Sequence, residues 1–494
     1  MGKITGFLEY TRTEAPHREV AERIRDFEPL LLPCDASHIH IQSARCMDCG
    51  VPFCHAGMQV ENSSIGCPLG NPIPETNDLA YRGKWDDAFL RLSLTHPFPE
   101  ITGRVCPALC EGSCTVGQHG NPVAVRDIER TLADYALHHE LSSIVPSSPT
   151  GKTVAVVGSG PSGLACADML SRKGHSVTVF ERDDRPGGFL MYGIPNMKLA
   201  KSVIDHRIRL LEKQKIIFRT GCEVGTSLPA EVLLSEFDAV VLCTGSRQAR
   251  RLSTPGADAA GIIGAIDYLT AATRKLLNDT TIPQDMDAAG KDVVVVGGGD
   301  TGTDCIATAI RQGAASVASV EIMPPLPAQR ADNNCWPLYP RVKKTDYGHQ
   351  EAFEVFGHDI REYNTTVKEI LTQKGTMSGI ATVEVAWQQN AAGLLVPNEL
   401  PKTIRTRDAS LVLVAMGFTG TESLLPEKMQ LRKTAQNTIE TSEGDSFGRG
   451  GFQTCLPGVF AAGDARRGPS LVVWAIQEGM RAAGECHKYL QAKK

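Results

Sequence analysis

The 494-residue sequence predicts an α/β protein: a helical, cysteine-rich N-terminal domain followed by two dinucleotide-binding units. Three observations carry that expectation. Eight of the 15 cysteines fall within the first 114 residues. A strand, glycine turn, helix and second strand begin at residue 153, and the same order of elements returns at 291. Two turns of G-x-G-x-x-G spacing imply two bound dinucleotides, or a duplication with one inactive copy.

Length and charge set the outer limits. At about 150 residues per domain the chain makes roughly three domains. A formal charge of -5 gives no basic field, so no nucleic acid partner is expected. No run approaches the ~20 apolar residues that span a bilayer, and "MGKITGFLEY" has no apolar signal region. A cytoplasmic protein with no membrane partner follows. The cytosol keeps thiols reduced, so disulfides are not the expected use of the cysteines.

The clustered cysteines form two groups. Cys46, Cys49, Cys54 and Cys67 read C-x2-C-x4-C-x12-C, and Cys106, Cys110 and Cys114 read C-x3-C-x3-C. Structural zinc favours two paired knuckles, which this spacing lacks. Three thiols crowded into one loop suit the faces of an iron–sulfur cubane, where each iron needs one terminal sulfur. Iron–sulfur is the favoured reading, with zinc and plain packing as alternatives. Cys34 has no close partner in sequence and reads as structural. Seven thiols leave one ligand short of two clusters, and Glu129, on a helical stretch after the second group, is a candidate for the eighth. The surrounding segments read as helices broken by Pro and Gly, giving a cluster domain over 1–145.

A polar Ser/Pro linker, "SSIVPSSPTGK" at 142–152, precedes the first α/β unit. In "TVAVVGSGPSGLACADMLSRKGHSVTVFER", Gly158, Gly160 and Gly163 make the turn that lets backbone approach a pyrophosphate at a helix N-terminus. Glu181 ends the second strand, where a carboxylate can hold a ribose hydroxyl. Gly187 and Gly188 in "RPGGFLMYGIPNMKL" suit backbone passing close to a flat ring or diphosphate. In the second unit, Gly297, Gly299 and Gly302 repeat the spacing after four valines. Near the C-terminus, "PGVFAAGDARRGPSLVVWAI" ends a short strand at Asp464, placed to accept from a ribityl hydroxyl. Lone cysteines such as Cys166, Cys243 and Cys305 read as small core residues. The strands in "FDAVVLCTGS" and "LVLVAMGF" are natural crossover points between the two units.

Together these motifs resemble the two-dinucleotide flavoprotein disulfide reductase fold, in which the second nucleotide domain is inserted in the first. That implies a flavin domain over 150–285 and 410–494 and a nicotinamide domain over 286–409. No C-x4-C redox pair follows the first turn, so dithiol chemistry is not expected. Over nearly its full length the chain resembles the small subunit of glutamate synthase, through "MGKITGF", "ARCMDCGVPFC", "GRVCPALCEGSC", "ERDDRPGGFLMYGIPNMKL" and "AAGDARRGPSLVVWAI". The same module occurs in dihydropyrimidine dehydrogenase and in bifurcating transhydrogenase subunits.

The resemblance implies FAD at Gly158, Gly160, Gly163, Glu181, Gly188 and Asp464. It implies NAD(P)H at Gly297, Gly299, Asp300, Thr301 and Gly302. By similarity to dihydropyrimidine dehydrogenase it implies two 4Fe–4S clusters with interleaved ligands. Cys46, Cys49, Cys54 and Cys114 would hold one, and Cys67, Cys106, Cys110 and Glu129 the other. The C-x12-C gap before Cys67 departs from the C-x3-C of that relative.

The expected role is electron input: NAD(P)H oxidised at FAD, and electrons passed through the clusters to a glutamate synthase large subunit. The chain begins Met-Gly-Lys, without the N-terminal cysteine of a glutaminase, and has no spare domain for 2-oxoglutarate. Glutamate formation is therefore expected in a partner. The alternatives are a stand-alone ferredoxin-NAD(P)H oxidoreductase or bifurcating subunit, and a zinc-bound interaction protein. Glu321 is expected either to favour NADH through a ribose 2′-hydroxyl or to be a solvated strand end, whereas Arg330 and Arg341 are candidates to reach a 2′-phosphate. The loop "NNCWPLYP" at 333–340 is expected either to cover the nucleotide domain or to touch substrate.

Overall fold

The computed structural model describes residues 2–60, 63–141, 147–278, 281–373, 376–443 and 451–493. The N-terminal part is helical: α1 (Ala36–Ala44), α2 (Ile73–Tyr81), α3 (Trp85–Leu92), α4 (Pro99–Val105), α5 (Leu109–Gly112) and α6 (Val125–His138). Local chemistry sets the starts of these helices. The Asp35 carboxylate accepts from the His38 amide at 2.7 Å, capping α1. In α3, Asp86 and Asp87 sit in the positive first turn while Ala88, Phe89 and Leu92 face inward. Part of the expected linker, 142–146, lies outside the described residues.

The first α/β unit contains β1 (Thr153–Val157), α7 (Pro161–Arg172), β2 (Ser176–Phe180), α8 (Lys201–Lys213), β3 (Ile217–Arg219) and β4 (Ala239–Leu242). The second contains β5 (Ile262–Gly264), α9 (Ala265–Asn278), β6 (Asp292–Val296), α10 (Asp300–Gln312), β7 (Ser316–Val320), α11 (Tyr347–Phe356) and β8 (Arg361–Glu362). There follow β9 (Thr365–Gln373), β10 (Thr376–Gln389), β11 (Leu395–Glu399), β12 (Arg405–Asp408), β13 (Leu411–Val414), β14 (Val459–Ala461) and the long α12 (Val472–Ala492).

Two parallel five-stranded sheets organise these elements, in the orders β14-β4-β1-β2-β3 and β8-β7-β6-β13-β5. Their strands are apolar runs because both faces of each sheet are buried. In the second sheet Val293 and Val295 pack against helices, while Val294 and Val296 pack against the antiparallel strands β9 and β10. Sheet membership moves the expected domain boundaries. Strand β5 and helix α9 precede residue 285, and β13 follows residue 410, yet both strands pair within the second sheet. The crossovers thus fall after β4 and after β13, in the two motifs singled out as crossover points. An antiparallel sheet of β9, β10, β11 and β12, absent from the sequence expectation, caps the second unit.

The segment at 15–32 departs from a self-contained N-terminal domain. It runs along the second unit, where Arg23 and Arg311 bind Glu351 at 2.8 and 2.6 Å, all three fully buried. The Leu30 amide donates to Met197 O at 2.9 Å, tying the same segment to the first unit.

Candidate functional site

The two glycine turns repeat one another atom for atom in role. A Cβ on Gly163 would meet Gly158 O at 1.9 Å, and one on Gly302 would meet Gly297 O at 2.2 Å. Each helix is thus drawn onto its own turn, a closeness no side chain permits. Gly160 and Gly299 instead face open space, where a ligand's phosphates have room.

The first turn opens into a cavity of about 530 Å³. Gly158, Gly160, Glu181, Gly188 and Asp464 line it; Gly163 lies beneath the turn. Glu181 is buried, accepting from the Ser159 amide at 3.1 Å and the Asp183 amide at 2.9 Å. Asp464 Oδ1 accepts from Ser470 Oγ at 2.6 Å, and burial raises its carboxyl to about 6. Ser246 Oγ, in the cavity wall, is buried with no hydrogen-bond partner among the described residues. A long, largely apolar cavity with one unpartnered hydroxyl, glycine-lined at one end, fits a flavin dinucleotide.

A second cavity of about 600 Å³ adjoins it, lined by Gly264, Ala265, Ala415, Gly417 and Thr301. Arg182, Phe189, Arg247 and Phe418 belong to both walls. Phe189 stacks on Phe418 with ring centroids 5.5 Å apart, and the Arg247 guanidinium lies 4.9 Å over the Phe189 ring. Asp300 and Thr301, expected at the nicotinamide site, also line the first cavity. Gly297, Gly299 and Gly302 line neither cavity. Glu321 accepts from the Gly298 amide at 2.6 Å and the Met323 amide at 2.8 Å. Arg330 does not reach toward this site. Its guanidinium donates to Leu338 O at 2.6 Å and Gly112 O at 2.8 Å. The loop 333–340 likewise departs from expectation, packing on the cysteine-rich domain: Ser113 Oγ donates to Pro337 O at 2.7 Å, and Tyr339 OH to Pro107 O at 3.0 Å. Sequence reasoning missed Phe189, Arg247 and Phe418, because single residues in loops carry no spacing signal.

The cysteines gather into two pockets. Cys46, Cys49, Cys54 and Cys114 line one; Cys67, Cys106, Cys110 and Glu129 line the other. The long gap before Cys67 is a β-hairpin, Met58–Val60 with Ser63–Ile65, after which the Cys67 amide donates to Cys54 O at 2.7 Å. The chain returns to where it left, so the extra residues do not displace the ligand. Burial pushes the Cys46 and Cys106 thiols up to about 11 and raises those of Cys54, Cys67, Cys110 and Cys114. Burial also raises Glu129 to about 7, although Asn71 Nδ2 donates to its Oε1 at 3.0 Å. A cationic centre in each pocket would offset the cost of ionising these buried donors. Among the described residues no group of three or more such side chains is placed to hold a single metal ion. The thiols surround a volume instead, and this soft donor set fits 4Fe–4S clusters. Cys34 takes a different role, accepting from Arg130 at 3.3 Å.

Two nucleotide units, a flavin-shaped cavity and a cysteine-rich helical domain define a class of flavin- and iron–sulfur-dependent pyridine nucleotide oxidoreductase. Residues 152–479 match the pyridine nucleotide-disulphide oxidoreductase family, and residues 23–141 match dihydropyrimidine dehydrogenase domain II, 4Fe-4S cluster. The fold is shared with FprA from Mycobacterium tuberculosis, at TM-score 0.54 and 19% identity over 70% of this chain and 85% of that one. The chain belongs to the family of glutamate synthase small chains. It is 46% identical over 493 residues to the glutamate synthase [NADPH] small chain of Bacillus subtilis, covering 99% of each. It is 41% identical to that of Mycobacterium tuberculosis, covering 98% of this chain and 95% of that one. A 43% match to the Saccharomyces cerevisiae glutamate synthase [NADH] takes in 99% of this chain and 22% of that protein. No helix among the described residues is long and apolar enough to cross a membrane.

Proposed function

We propose that this chain is the electron-input subunit of a glutamate synthase. It oxidises NADPH or NADH at FAD and passes electrons through two 4Fe–4S clusters to a large chain. That partner makes L-glutamate from L-glutamine and 2-oxoglutarate. One observation carries the reading. Val105 and Pro107 line the flavin-shaped cavity, while Cys106 between them lines a thiol pocket; Val472 and Val473 divide in the same way. The two sites share a wall one residue thick.

When bound, a flavin would supply the conversion of a hydride into single electrons, and clusters would supply their conduction. The chain's residues supply placement. With FAD bound, the turn amides around Gly160 would hold the pyrophosphate, Glu181 the ribose, and Asp464, steadied by Ser470, a ribityl hydroxyl. Phe189 and Phe418 close the boundary between the cavities against water. The pocket of Cys67, Cys106, Cys110 and Glu129 would hold the cluster beside the flavin. Cys46, Cys49, Cys54 and Cys114 would hold the outer one, next to the loop where Val51 is 76% exposed. The yeast match, in which the same module forms 22% of a longer glutamate synthase, supports a large partner. Arg330's engagement elsewhere leaves Glu321 and Arg341 as the candidates that set nucleotide preference.

The test is reconstitution with a large chain. Glutamate formation from glutamine, 2-oxoglutarate and NAD(P)H, absent with either chain alone, is expected. Reduction of a soluble ferredoxin without any glutamate in the mixture would favour the stand-alone oxidoreductase instead.

A further inference from the structure

Two polar residues of the pocket beside the flavin, His96 and Thr102, are no part of any ligand motif. They line it together with Cys67, Cys106, Cys110 and Glu129. Both are buried, at 2% and 3% exposure. The Phe98 amide donates to His96 Nδ1 at 3.3 Å, which fixes the ring proton on Nε2. That Nε2–H then points at Thr102 Oγ, 2.6 Å away. The hydroxyl is therefore an acceptor on this side, and its own proton must go elsewhere. Its two backbone candidates, Phe98 O and Pro99 O, are each 3.5 Å distant, at the limit of a hydrogen bond. Burial lowers His96 to about 3, so the ring stays neutral and this orientation persists across the working range.

We propose that Thr102 donates a hydrogen bond into this pocket, held in that sense by the Phe98–His96 relay, and thereby raises the reduction potential of the cluster bound there. The inference rests on reading the pocket as a cluster site. Hydrogen bonds to cluster sulfurs stabilise the reduced, more negative form, so each donor moves the potential upward. A donor at the pocket that adjoins the flavin makes this centre easier for the flavin to reduce than it would be without the hydroxyl. Thr102 is a positioning and tuning residue; no ligand bond depends on it.

The test is a redox titration followed by electron paramagnetic resonance on anaerobically purified full-length protein. Wild type is compared with Thr102→Val, which keeps the shape and loses the hydroxyl, and Thr102→Ser, which keeps the hydroxyl. Thr102→Ala is carried in parallel, so that poor packing in one variant does not remove the test. Iron and sulfide are quantified in each. About eight irons per chain in all four, one midpoint shifted negative in Val and Ala, and its return in Ser are expected. Full iron with unmoved midpoints in Val and Ala would overturn the role of Thr102 alone. A wild-type chain with about four irons and one titrating centre would overturn the pocket's reading as a cluster site, and the proposal with it.

Discussion

Gly163 and Gly302 are matched residues in matched turns, so the same substitution separates the two nucleotide sites. A methyl at either position collides with backbone oxygen, at 1.9 and 2.2 Å. Overpacking of this kind costs about 1–3 kcal/mol and moves the turn. Gly163→Ala is expected to yield protein poor in flavin absorbance. Gly302→Ala is expected to keep its flavin but bleach slowly with nicotinamide. Equal flavin loss in both variants would contradict the assignment of the turns. These residues were legible in the sequence because spacing and residue type are themselves the signal. Lys201 was not legible. It sits 2% exposed under the cavity floor, its ammonium donating to Leu190 O at 2.9 Å, in a stretch that reads as an ordinary helix start. Burial lowers it from 10.5 to about 7. The unfolded chain therefore binds more protons between pH 7 and 10.5, and stability rises with pH across that window. Melting temperature should climb from pH 7 toward 10 in the wild type, and less so in Lys201→Met.

Elements tell a similar story with a different limit. Strands β1, β2, β4, β6 and β13 announce themselves as valine-rich runs, and α7 and α10 by the turns that start them. The antiparallel sheet β9 to β12 does not, because its strands alternate weakly and carry charges on the exposed face. The domain limits shifted for a related reason: β5 is three residues long and owes its place to pairing with β13, a contact no local pattern encodes. The 15–32 segment was invisible in the same way. Its anchor is Glu351, shared by Arg23 and Arg311 in a fully buried triad. Removing one partner of a buried ion pair strands the other charge, at a cost of about 3–5 kcal/mol. Glu351→Gln should lower the melting temperature sharply and expose the segment to limited proteolysis. A variant that melts and digests like the wild type would show that the segment does not fasten the nucleotide unit.

At the scale of the whole molecule, four sites lie in sequence: the second cavity, the larger glycine-lined cavity and the two thiol pockets. The cysteine spacing pointed to clusters, and the structure groups the eight expected donors four and four around two pockets. The order of the sites was beyond the sequence, since it depends on Cys106 lining a thiol pocket between two residues, Val105 and Pro107, that wall the larger cavity. That order predicts a separation of functions. Cys106→Ala should still allow NAD(P)H to bleach the flavin, while electron delivery to a one-electron acceptor falls at least tenfold. Unimpaired delivery would mean that electrons leave by another route.

The central claim is tested most directly by anaerobic purification with iron, sulfide and flavin quantitation. Stopped-flow spectra are then recorded after mixing with NADH and with NADPH separately. One flavin and about eight irons per chain, with flavin bleaching followed by cluster reduction, is the predicted result. A flavin that bleaches in protein carrying zinc and no iron would contradict it, and would leave "CMDCGVPFC" a structural knuckle rather than an electron exit.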